Sequence, residues 1–74
     1  MNNKGGTIRI IRGNGDESSF LTRGDIEEIF LDIRSAIKNR ESIFSFKGEE
    51  ARVSIVLDKV KYLSVEENEL YVFL

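Results

Sequence analysis

The sequence predicts an α+β fold: one small domain with an antiparallel sheet of four to six strands and one amphipathic helix packed on one face. Three observations lead there. Apolar residues recur at helical spacing in a single segment, they alternate with a period of two on either side of it, and short polar breaks separate the alternating stretches. The predicted order is β-(β)-α-β-β-β-β. Residues 1–6 read as a flexible N-terminal arm, polar and glycine-containing, and residues 7–74 as the domain.

The first strand is Thr7-Ile8-Arg9-Ile10-Ile11-Arg12, alternating and β-branched. Gly13-Asn14-Gly15-Asp16 follows, and Asn-Gly predicts a tight hairpin because both residues accept positive φ. Glu17 to Leu21 is then a short return strand. The helix is marked by Ile26, Ile29, Phe30, Ile33, Ala36 and Ile37 on one face. Thr22 is the N-cap candidate, with Asp25 as its reciprocal partner and Leu21 and Ile26 as a hydrophobic staple; Asp25, with Glu28 three residues on, is the alternative cap. Acidic Asp25, Glu27 and Glu28 at the start and basic Arg34, Lys38 and Arg40 at the end complement the helix dipole.

Beyond Arg40 the period changes to two. Ser42 to Phe46 forms a strand, Lys47 to Glu50 a turn, and Ala51, Val53, Ile55 and Leu57 are the apolar side of the next strand. Asp58-Lys59 breaks the pattern, and Val60 to Val65 resumes it. Glu66 to Glu69 is a polar turn before Leu70-Tyr71-Val72-Phe73-Leu74. Short connections between the last three strands make an antiparallel meander the economical topology.

The composition narrows function mainly by what is missing: the 74 residues include no histidine, cysteine, proline or tryptophan. The usual general base near neutral pH, the thiolate nucleophile and the nitrogen and sulfur metal ligands are therefore excluded. A domain of this size buries only about 60% of the surface its unfolded chain exposes, and disulfides or a Cys/His metal cannot supplement it. The remaining supports are close packing and association. The formal charge is −2, from 11 basic and 13 acidic residues, so the chain as a whole carries no basic push toward phosphates. The opening MNNKGG lacks an apolar core, so no secretory signal is expected, and the cytoplasm is the default compartment. Richness in Ile, Lys, Asn and Glu fits a low-GC bacterial or phage source.

Catalytic readings fail on missing parts. Glu49, Glu50, Glu66, Glu67 and Glu69 fall in turns, where carboxylates stay solvated and their pKa values are not driven apart. The serines have no histidine to activate them. Gly13-Asn14-Gly15 lacks the third glycine of a dinucleotide fingerprint and the Gly-Lys-Ser/Thr end of a Walker A loop. No enzyme, cofactor, metal or small-molecule substrate is expected, and no segment approaches the roughly 20 apolar residues of a membrane span.

Two binding readings remain. Lys4, Arg9 and Arg12 form a basic cluster near the N-terminus, and Phe44, Phe46, Tyr62, Tyr71 and Phe73 fall on strands, where exposed rings stack bases; nucleic-acid binding is the alternative reading. Leu57-Asp58-Lys59-Val60-Lys61-Tyr62-Leu63-Ser64-Val65 with Leu70-Tyr71-Val72 resembles the strand pair of LytTR-type DNA-binding domains, over less than a third of the chain and with no site residue carried across. The favoured reading is a protein-interaction module that self-associates or takes a protein partner. Consecutive Ile10 and Ile11 and the almost wholly apolar last strand put apolar groups on both faces of the sheet, and one helix covers one face. The expected interface residues are Ile11, Val56, Leu63, Tyr71 and Phe73.

Overall fold

A computed structural model describes residues 5–74, so Met1 to Lys4, with most of the expected arm and its Lys4, lie outside the described residues. The elements are β1 (Gly6–Ile11), β2 (Glu17–Thr22), α1 (Ile26–Lys38), β3 (Ile43–Lys47), β4 (Arg52–Val56), a 3-10 turn (Leu57–Lys59), β5 (Tyr62–Glu66) and β6 (Glu69–Phe73). This is a small α+β domain, with the element order read from the sequence. The sheet differs from the expected antiparallel meander. A four-stranded sheet has the order β2-β1-β6-β5, with β1 and β6 parallel, and β3 and β4 form a separate two-stranded sheet.

The physical cause of the difference is Leu57. Its side chain is buried and its N–H donates to Ser42 O, closing the β3–β4 pair. The chain then turns at Leu57–Lys59 instead of running on, so β4 and β5 never pair and β5 finds only β6. β6 in turn reaches β1 because each strand turns large apolar groups at alternate positions to the helix side. Ile8 and Ile10 lie in register with Leu70 and Val72, and all four are buried beneath α1 around Ile33. Phe46 and Ile55 bring the inner face of the β3–β4 hairpin into the same core, with Phe46 set edge-on to Phe20.

The helix starts one turn later than the first capping choice. Asp25 is the N-cap and its carboxylate accepts from the Glu27 N–H. Thr22 is occupied elsewhere: its buried hydroxyl donates to Lys47 O and accepts from the Gly24 N–H, tying the end of β2 to the end of β3. Leu21 is 58% exposed, so it makes no staple with Ile26. At the other end Arg40 N–H donates to Ile37 O and Glu41 N–H to Ala36 O, the paired bonds of a Schellman motif. This puts Arg40 at φ 62, a conformation that favours glycine.

Glycines also correct two local readings. Gly15 alone of the Asn14-Gly15 pair has positive φ, at 96, so the β1–β2 loop is a three-residue turn with Arg12 O accepting from the Gly15 N–H. Gly6 belongs to β1 rather than to an arm. A Cβ on it would collide with Asn68 O and Ile26 Cγ1, because the β5–β6 turn and the helix start both press on it.

Two substitutions test this backbone account by thermal or chemical denaturation. Gly6→Ala is expected to cost about 2–3 kcal/mol through overpacking, and a cost near zero would contradict the close approach. Arg40→Gly is expected to stabilise by roughly 0.5–1 kcal/mol, relief of the left-handed conformation outweighing the looser unfolded chain. A destabilised Arg40→Gly variant would show that the side chain does more than tolerate its place.

Candidate functional site: the uncovered sheet face

Helix α1 covers one face of the four-stranded sheet, and no described element covers the other. Residue alternation assigns that open face from the strand registers. One row across it is Glu17, Ile11, Phe73 and Tyr62; the next is Ser19, Arg9, Tyr71 and Ser64. The Tyr62 and Phe73 rings are 5.3 Å apart, and Tyr71 stacks on Phe73 at 6.4 Å. Ile11, Tyr71 and Phe73 are half-buried by each other, while Tyr62, at the sheet edge, is 61% exposed.

Beside this apolar row sits a polar cluster. Arg9 Nη1 is 2.9 Å from Glu17 Oε2, Arg9 Nη2 is 3.3 Å from Glu69 Oε2, and the Tyr71 hydroxyl donates to Glu69 Oε1. The hydrogen bond from Tyr71, then that from Arg9, holds the Glu69 carboxyl below its ordinary value. The same Tyr71–Glu69 bond raises the Tyr71 phenol. Glu69, then Glu17, stabilises the charged form of Arg9 further. Arg9 is thus committed to carboxylates on both sides.

The structure brings together Ile11, Tyr71 and Phe73 of the expected interface, but not Val56 or Leu63. Val56 lies on the outer side of the β3–β4 hairpin, exposed opposite Ile43, because β4 is not part of the larger sheet. Leu63 opposes Val72 and packs against the core, so alternation puts it on the helix side. Phe44 and Phe46 also face the core, which removes them as base-stacking rings. Arg12 donates to Ser18 Oγ at the β1–β2 end, away from any gathered basic surface. The expected interface omitted Glu17, Glu69 and Tyr62, the last of which entered only as a candidate base-stacking ring. The alternation of Glu69, Tyr71 and Phe73 was visible, but their nearness to Arg9 depends on a parallel pairing that no local pattern announces.

The titratable groups of this polar cluster are an arginine, two carboxylates and a phenol, set on an open face of the sheet. Among the described residues, no group of three or more carboxylates is placed to hold a metal ion, and no helix is long and apolar enough to cross a membrane. No protein-family model, curated protein or solved structure matches the chain.

The polar cluster has a measurable pH signature. Glu69 contributes stability above the ordinary carboxyl range, and loses it as pH falls through its lowered pKa. Tyr71 contributes below the ordinary phenol value of 10.0, and that contribution is lost as pH rises through its raised pKa. With Tyr62→Phe leaving Tyr71 as the sole phenol, phenolate absorbance should titrate above the ordinary range. Adding Glu69→Gln should bring the midpoint down toward it, and an unmoved midpoint would refute the bond's role.

Proposed function

We propose that the chain is a small non-catalytic protein-interaction module of the cytoplasm that associates with a second copy of itself. The observation that carries this reading is the apolar row Ile11–Phe73–Tyr62, with Tyr71 stacked on it, crossing a sheet face that no described element covers. Its most exposed member, Tyr62, stands at the edge of the sheet, where a second molecule can reach it. Apolar surface of this kind, beside polar groups that are already satisfied, suits a protein surface better than a charged ligand. A domain too small to bury most of its surface gains stability from such a contact. The nucleic-acid reading draws less support, because both carboxylates around Arg9 compete with a phosphate for its guanidinium.

Sedimentation velocity of the full chain across a wide concentration range tests this. The expected result is a concentration-dependent monomer–dimer equilibrium. Tyr62→Glu should weaken it at least about tenfold with the circular dichroism of the fold unchanged, since an exposed aromatic anchor is lost. Leu31→Arg, at a 56% exposed position on the outer helix surface, should leave it unchanged. A wild-type chain that stays monomeric throughout would overturn the proposal.

A further inference from the structure

We infer that the self-association runs through the free edge of β5, two copies joining antiparallel so that the four-stranded sheet continues from one molecule into the next. The inference rests on the self-associating reading above and places the contact at the edge where Tyr62 ends the apolar row, with the inner part of that row continuing across both copies. β5 is the terminal strand of the sheet, and its five residues make no backbone hydrogen bonds with described residues outside the ladder to β6. In an antiparallel ladder alternate residues direct N–H and C=O groups outward, so this edge is an open template for another strand. It lacks the usual protections: no proline, and Tyr62-Leu63-Ser64-Val65 is uncharged.

The opposite edge of the sheet is not equivalent. Along β2, Leu21 O accepts from the Glu49 N–H and the Thr22 hydroxyl donates to Lys47 O, so the β3–β4 turn closes its second half. Gly48 approaches there too, where a Cβ would lie 3.4 Å from Leu21 O. Of the two edges of the four-stranded sheet, β5 is the one left open along its whole length by the described residues.

Charge selects the occupant and the register. Lys61 precedes β5 and Glu66 and Glu67 close it, so the segment is positive at one end and negative at the other. Neither Lys61 nor Glu67 forms an ion pair with another described residue. A second copy laid antiparallel, with Ser64 facing Ser64, brings Lys61, one residue before the five-residue ladder, beside Glu67 of the second copy, one residue beyond it in the turn, and by the two-fold Glu67 beside its Lys61. Leu63 then faces Val65 of the second copy on the helix side, and Tyr62 faces Glu66 on the open side. A parallel copy would set like charges together. The self-complementary pattern is what an isologous dimer needs.

Charge exchange at these two exposed positions tests the geometry without touching the core. Lys61→Glu alone gives two like-charge acidic pairs in the homodimer, and Glu67→Lys alone gives two basic ones. Each should raise the dissociation constant roughly tenfold at low salt, with circular dichroism unchanged. Mixing the two variants pairs opposite charges at both places, and should restore association to the wild-type level as a heterodimer. If either variant associates like wild type while Tyr62→Glu still dissociates, the edge pairing is wrong and self-association stands. If both variants weaken but the mixture does not recover, the register is wrong and the inference falls. A wild-type chain that is monomeric at every concentration overturns both.

Discussion

Strands β1 and β6 lie parallel at the centre of the sheet, and their pairing joins segments 60 positions apart at the Arg9–Glu69 contact. The consequences run in both directions through the sheet. On the helix side, Ile8, Ile10, Leu70 and Val72 make a fully buried floor on which α1 seats Ile33. On the other side, the same register brings Arg9 to Glu69 and Tyr71, and Ile11 to Phe73. Each outer strand depends on this pair as well. β2 is held through β1, and β5 through β6, so neither half of the sheet has a second neighbour without it.

Such a pairing is costly to form and hard to bypass. A parallel contact between distant segments must overcome the entropy of closing a long loop before its apolar burial is gained. The β3–β4 hairpin is local by comparison, and touches the remainder through the core residues Phe46 and Ile55 and the bonds from Thr22 and Glu49. The cost is offset by an uninterrupted apolar floor, the support left to a domain without disulfides. It also leaves the opposite face with alternating residues that no element of the chain covers. The candidate interaction surface is therefore a by-product of how the core is built: burying alternate residues of β1 and β6 beneath the helix turns Ile11 and Phe73 to the opposite face.

Much of the fold is legible in the residues themselves. The period of the Ile26–Ile37 stripe, the alternation of β3 to β6 and the turn residues between them mark every element, because local patterning is a local property. Pairing is not local. The antiparallel meander is the economical arrangement of three nearby strands, but one buried side chain, Leu57, redirects the chain and hands β6 to β1. That single change explains which site residues were legible. Ile11, Tyr71 and Phe73 share the open face whichever neighbours their strands have. Val56 depended on the pairing of β4 and leaves the face, while Leu63, opposite buried Val72 in the β5–β6 hairpin, lies on the helix side. Glu17 and Glu69 gain meaning only once Arg9 lies between them. At the caps, Thr22 was drawn from the helix by the nearby Lys47 carbonyl, a tertiary competitor no helix signal reveals.

Native-state hydrogen exchange resolved by residue tests the dependence on the central pair most directly. The account requires the amides of β1 and β6 to be the slowest in the molecule, and to open together at the free energy of global unfolding, with β3 and β4 opening earlier. If β6 amides exchanged at clearly lower free energy while β1 and β2 stayed protected, the parallel pair would not be what holds the sheet together.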